Sequence, residues 1–200
     1  VAIAGRRELG TLFCFGLGKF EKFERGKYQL AFLLELLSLF TFQHGIEVHD
    51  PLFTPRERGL LKCLLREEAE RQRYAPLPTI VVGGGKSMGK RSVPEGHSVR
   101  AFYFMPHCPV ELYQNVLHSH HLLGAMSQII ILGNDIGLYD TSLVRKEERE
   151  ANRFLLQVAS SVSSTKLTCE ATLPPHVIAA FNDLSLLHFP ESGPSEHTNA

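Results

Sequence analysis

Short apolar runs recur along this chain, and between them lie stretches of helical spacing. That alternation restricts the fold more than any other feature. Residues 11–17 (T-L-F-C-F-G-L), 46–49, 79–82, 99–105 and 128–132 read as strands. Most are too uniformly apolar for a strand with one wet face. Residues 27–42 place Leu30, Leu33, Leu34, Leu37 and Phe40 at helical spacing, and Gly45 is expected to stop that helix. Thr54, Pro55 and Glu57 form a helix start, with a Thr cap, Pro at the first position and an acid in the first turn. The helix they open runs to about residue 70. Further helices are expected over 110–119, 146–160 and 175–181, with late strands at 165–172 and 184–189. Apolar strands alternating with helices call for a parallel sheet covered on both faces. The predicted class is α/β: a three-layer, Rossmann-like, mostly parallel sheet in one domain over 1–190, with 191–200 as a disordered tail. The pairing of the third strand stays open between parallel and hairpin arrangements.

Composition excludes several functions. The 21 basic and 21 acidic residues cancel, which leaves no electrostatic footprint for nucleic acid or an anionic membrane. No apolar run approaches the roughly 18 residues of a spanning helix, since Glu35 and Ser38 interrupt residues 30–42. No charged-then-apolar leader follows Val1, so a secretory signal is not expected. Cys14, Cys63, Cys108 and Cys169 lie 45 to 61 residues apart. That spacing is neither a disulfide framework nor a zinc motif, and reduced cytosolic thiols are expected.

Four groups of residues bear on chemistry. Gly16-x-Gly18 follows the first strand and precedes a helix, the context of a cofactor turn. Glu21 stands where the third glycine of a dinucleotide fingerprint would be, and an acid there repels a pyrophosphate. Asp50 ends the second strand, where an acid can take a ribose hydroxyl, but it lies 34 residues after Gly16 against a usual spacing of about 20. A tight turn with an Asp-Pro turn explains these residues equally well. If a cofactor binds, an adenosyl-type ligand such as S-adenosylmethionine fits better than a dinucleotide. The second group, residues 84–90 (G-G-K-S-M-G-K), has phosphate-loop spacing, but Arg91 replaces the magnesium-binding Ser or Thr. Pro94 then prevents the required helix, so the reading is a basic loop. Third, His118, His120 and His121 do not share one helix face, and a solvated helix end is expected. Fourth, the strand over 99–105 ends at Pro106, His107 and Cys108, where open α/β sheets place ligand sites. Adjacent strand residues face opposite ways, which argues against a His–Cys nucleophile pair. Cys108-Pro109 is also the dipeptide of regulatory haem motifs, with His107 as an axial partner.

Together, residues 14–20 (C-F-G-L-G-K-F), 28–34 (Y-Q-L-A-F-L-L), 49–53 (H-D-P-L-F), 102–108 (F-Y-F-M-P-H-C), 112–117 (L-Y-Q-N-V-L), 131–134 (I-L-G-N) and 181–190 (F-N-D-L-S-L-L-H-F-P) carry a resemblance. Seven blocks in this order resemble the SRR-like ("sensitivity to red light reduced") family. The family pattern falls on Gly16, Gly18, Gln29, Asp50, Pro51, His107, Cys108, Tyr113, Asn115, Gly133, Asn134, Asn182 and Asp183. Lys19 and Asp135 depart from it, standing where Asn and Ser are more usual. The resemblance implies a regulatory protein of cytoplasm and nucleus, tied to circadian-clock and light signalling and to control of haem biosynthesis. It implies signalling or regulatory protein partners and no established reaction. The candidate ligand set is Gly16, Gly18, Asp50, Pro106, His107, Cys108, Tyr113, Asn115, Gly133 and Asn134. Three readings follow from this: a regulatory ligand-sensing domain, an S-adenosylmethionine-dependent methyltransferase-like enzyme, and a haem sensor acting through His107 or Cys108.

Overall fold

A computed structural model describes residues 7–74, 77–83, 101–170 and 172–190. Strand β1 (Arg7–Phe15) leads into helix α1 (Glu24–Leu39), strand β2 (Phe40–His49), helix α2 (Pro55–Arg71) and strand β3 (Ile80–Gly83). Strand β4 (Ala101–Met105), helix α3 (Val110–Leu122) and strand β5 (Ile129–Asn134) follow. Short helices α4 (Tyr139–Ser142), α5 (Lys146–Ala151) and α6 (Arg153–Ala159) precede strand β6 (Ser163–Lys166), helix α7 (Pro175–Phe181) and strand β7 (Leu184–His188). All seven strands join one sheet in the order β3-β2-β1-β4-β5-β7-β6. The first five run parallel, including β3 beside β2. Strand β7 is antiparallel to both β5 and β6.

This strand order sets the two helical layers. From β1 the chain steps outward to β2 and β3, then returns to the other side of β1 to place β4 and β5. Parallel crossovers are right-handed, so reversing the direction of travel moves the helices to the opposite face. Leu33 and Leu37 of α1 and Leu61 and Leu65 of α2 pack with Leu12, Phe42, Ile46 and Phe104 on one face. Tyr113 and Leu117 of α3 and Leu155 of α6 pack with Tyr103, Met105, Ile129 and Ile131 on the other. Every β4 residue is buried because each of its faces meets one of these layers. The fold is a three-layer, Rossmann-like α/β sandwich.

Several boundaries differ from the sequence reading. Helix α1 ends at Leu39, and Gly45, expected as its stop, lies inside β2 with a φ of 155°. The stretch F-T-F has strand period, and the Phe40 and Phe42 rings pack against Phe102, tilted at 6.0 Å and edge-on at 6.3 Å between centroids, so tertiary packing overrides the helical pattern. The helix expected over 146–160 breaks at Asn152, which is buried with a φ of −112° and whose amide donates to the Glu148 carbonyl. Gln114 Oε1 accepts the Leu155 amide that the break leaves unpaired. Strand β6 covers 163–166 rather than 165–172, a fully exposed edge with no apolar pattern to mark it. The loop motif at 84–90 with Arg91 and Pro94, residues 99–100 and the tail at 191–200 lie outside the described residues. Among the described residues, no helix is long and apolar enough to cross a membrane.

Candidate functional site

In an open parallel sheet, ligands sit beyond the carboxyl ends of the strands, where the direction of winding reverses. Here that point lies between β1 and β4. The turn after β1 holds Gly16 and Gly18 at φ 81° and 65°, a left-handed region that glycine adopts without strain. A side chain at Gly16 would sit 2.7 Å from Cys108 Sγ and 3.0 Å from the Pro106 carbonyl, so the two strand tips close on each other there. A Cβ at Gly18 would meet nothing within 4 Å. The open part of the turn is therefore at Gly18.

Two carboxylates from the β2–α2 segment hold this turn. Asp50, 3% exposed, accepts the Gly18 amide at 2.7 Å through Oδ2 and the Leu52 amide at 2.8 Å through Oδ1. Glu57 completes a capping box with Thr54 and also accepts the Glu21 amide at 3.2 Å. Burial opposes the charged Glu57 carboxylate, but the Thr54 and Glu21 amides and the Thr54 hydroxyl outweigh it and pull the pKa below its usual value. Glu21 itself pairs at the surface with Arg56 at 3.0 Å. Close packing of α1 on the turn falls to Gly26, where a Cβ would lie 2.8 Å from the Leu17 carbonyl and 2.9 Å from the Phe20 Cα. Glu21, which stands where the third glycine of a dinucleotide fingerprint would be, lies five positions before Gly26.

The β4 tip is held from β5. Asn134 accepts the His107 amide at 2.9 Å through Oδ1 and donates through Nδ2 to the Cys108 carbonyl at 3.1 Å and the Tyr139 hydroxyl at 2.9 Å. These bonds clamp a turn in which His107 takes a left-handed φ of 53°, an uncommon conformation for a residue with a side chain. The strand has ended at Met105, so His107 and Cys108 are separated by this turn and not by strand alternation. Below them, Tyr113 donates to the Met105 carbonyl at 2.5 Å and accepts the Asn134 amide at 2.7 Å, bracing the β4 and β5 tips. A Cβ at Gly133 would overlap the Tyr113 hydroxyl, which explains the glycine.

The His107 ring donates from Nε2 to the Ala180 carbonyl at 3.2 Å, and Gln29 donates to the same carbonyl at 3.1 Å. Burial lowers the His107 pKa, partly offset by the bond to Ala180. Cys108 is buried, and burial with the nearby Asp50 carboxylate pushes its thiol up to about 12. Cys14 is likewise raised by burial, with Cys108 and Asp50 adding to it. Neither thiol has the electropositive, partly open setting of a nucleophile.

The structure thus gathers Gly16, Gly18, Asp50, Pro106, His107, Cys108, Tyr113, Gly133 and Asn134 at the carboxyl ends of β1, β2, β4 and β5. It does not bring in Asn115, which is exposed on α3, two residues and over half a turn from Tyr113. Of the three histidines on that helix, His118 and His121 are exposed and flank Phe154 at ring distances of 5.4 and 4.7 Å. His120, expected at a solvated end, is instead 3% exposed with Nε2 2.7 Å from the Tyr103 hydroxyl. Among the described residues, no group of three or more His, Cys, Asp or Glu side chains could hold a metal ion.

The SRR1 domain matches this chain over residues 3–188. The chain belongs to that family. An SRR1-like protein of Mus musculus is 28% identical over 151 residues, 75% of this chain and 54% of that protein. Protein SENSITIVITY TO RED LIGHT REDUCED 1 of Arabidopsis thaliana is 24% identical over 189 residues, 90% of this chain and 58% of that protein. The SRR1 chain described here thus spans little more than half the length of these relatives. Among solved structures, an SAH-bound methyltransferase from Podospora anserina is similar with a TM-score of 0.40 and 11% identity, over 90% of this chain and 72% of that one.

Gly26, Glu57 and Tyr139 are the members of this SRR1 site that sequence reasoning missed. Gly26 and Glu57 carried local signals, a glycine early in a helix and a capping acid. Tyr139 reaches Asn134 only through the fold.

Proposed function

We propose that this SRR1 domain is a regulatory, ligand-sensing module that binds an adenosyl-type small molecule between the β1 and β4 tips. The observation that carries this reading is the Gly18 turn, anchored by Asp50, facing the left-handed His107 turn across the point where the winding reverses. The space above Gly18 suits a ligand that approaches the backbone closely. Both Asp50 oxygens already accept backbone amides, so the acid serves this reading as the anchor of the turn, and the ligand is read by other groups. The raised thiol pKa values of Cys14 and Cys108 favour sensing over nucleophilic catalysis.

Haem ligation by Cys108 does not fit the residues as they stand. The buried Cys108 sulfur packs against Gly16, and a high thiol pKa disfavours the thiolate that binds iron. His107 Nε2 is committed to the Ala180 carbonyl, which leaves Nδ1 as the ring's one open nitrogen.

Under this reading the bound ligand tunes contacts with regulatory proteins in cytoplasm and nucleus. The Arabidopsis relative named for sensitivity to red light supports extending light-linked regulation to this chain, and clock-linked regulation and control of haem biosynthesis are proposed with it. Thermal denaturation with S-adenosylmethionine or S-adenosylhomocysteine tests the ligand. Ligand at 100 times its dissociation constant adds about 2.7 kcal/mol, a shift of several degrees. No shift with either compound at millimolar concentration would sink the adenosyl reading. Conversion of S-adenosylmethionine to S-adenosylhomocysteine by the protein would overturn its non-catalytic part.

A further inference from the structure

Two residues bonded to the Asn134 side chain, Tyr139 and His107, carry hydrogen-bonding functions of opposite sense. The Asn134 Oδ1 accepts the His107 amide, so the nitrogen end faces Tyr139, and an amide nitrogen only donates. The Tyr139 oxygen is therefore the acceptor in that bond, and its own proton points elsewhere. No acceptor for that proton exists among the described residues. His107 has the complementary gap. A carbonyl carries no proton, so Nε2 is the donor to Ala180 and the neutral ring leaves Nδ1 as a bare acceptor. Nδ1 has no partner among the described residues. Both side chains are half-buried and so reachable from solvent. Tyr139 is steadied by Tyr113 at 6.2 Å between ring centroids, and His107 is fixed by its clamped turn.

We propose that Tyr139 and His107 read the ligand of this site, the Tyr139 hydroxyl donating to, and His107 Nδ1 accepting from, the donor–acceptor edge of an adenine base. This rests on the adenosyl reading above. An adenine edge sets an exocyclic amine beside a ring nitrogen, and so calls for one donor and one acceptor, which Tyr139 and His107 supply from two residues whose hydroxyl and main-chain amide bond the same Asn134 carboxamide. A neutral edge also suits the electrostatics, because Arg25 and Asp183 act on the His107 ring with opposite signs.

Isothermal titration with adenosine as the probe tests the pair. Tyr139→Phe keeps the ring against Tyr113 and removes only the hydroxyl. It is expected to bind adenosine about tenfold more weakly, the effect of one hydrogen bond, with an unchanged circular dichroism spectrum. Purine riboside keeps the ribose and the ring nitrogen but lacks the amine. It is expected to bind wild type about tenfold more weakly than adenosine does. Equal adenosine affinity in Tyr139→Phe and wild type overturns the proposal and leaves the adenosyl reading standing. Equal affinity of wild type for purine riboside and adenosine also overturns it, because the ribose would then be what is read. Binding of S-adenosylmethionine without adenosine binding defeats the pair alone, and absence of binding by every adenosyl compound defeats both.

Discussion

Lowering the pH from neutrality to about 4.5 is expected to weaken this fold through one residue, His120. Its ring lies under α3 against Tyr103, 3% exposed, and Nδ1 has no hydrogen-bond partner. Burial disfavours the charged ring and lowers its pKa from 6.5 to about 4. The unfolded chain therefore binds a proton that the folded chain refuses, and stability falls as pH drops below 6.5, levelling off below about 4. With those two values the linkage relation gives a loss of about 2 kcal/mol between about pH 7 and about pH 4.5 from this residue alone. For a domain with a typical total of about 5–15 kcal/mol, that is a large fraction. The assay is urea unfolding across this pH range for wild type and His120→Gln. Glutamine keeps a partner for the Tyr103 hydroxyl and does not titrate, and subtracting the two curves cancels every other ionisable group. The difference between the curves should widen by about 2 kcal/mol on going to the lower pH. Parallel curves, with a change under about 0.5 kcal/mol, would refute a buried neutral His120.

Other predictions concern the strand tips. Asp50→Asn leaves one of the two part-buried amides without its acceptor and should cost about 0.5–1.5 kcal/mol, read as a lower melting temperature. Gly16→Ala combines a left-handed φ with a clash against Cys108 Sγ and should cost about 1–3 kcal/mol, part of which Cys108→Ala restores in the double variant. Tyr113→Phe removes both bonds that brace β4 and β5, so hydrogen exchange of the Asn134 amide should speed up while that of α2 stays unchanged. Glu57→Gln weakens the capping box and the link to Glu21. Because the folded pKa of Glu57 lies below its usual value, the stability it adds is present at neutral pH and lost on acidification. The variant should therefore unfold earlier at neutral pH and approach wild type in acid.

Much of the architecture was legible residue by residue. Thr54, Pro55 and Glu57 announced α2 because capping is a local hydrogen-bond problem, and the capping box is formed as expected. Pro175 at the first position of α7 is a similarly local signal. Legibility failed where partners are distant in sequence. Phe40 and Phe42 suit either period, and pairing with Arg7 and Leu9 of β1 together with packing on Phe102 of β4 makes them strand residues. Likewise His120 shows no local sign of burial, because Tyr103 comes from another element.

The candidate site divides along the same line. Gly16, Gly18, Asp50 and His107 stood out in the sequence as turn residues at strand ends, since backbone conformation and strand termination are short-range properties. What each does there was not legible. Asp50 anchors the Gly18 amide, Gly26 lets α1 pack closely on the turn, and Asn134 joins His107 to Tyr139. The sequence by itself determined the elements and the polar strand tips, through hydrophobic period and turn chemistry. Tertiary structure decided which tips meet, because strand order and crossover direction depend on burying two faces of one sheet at once.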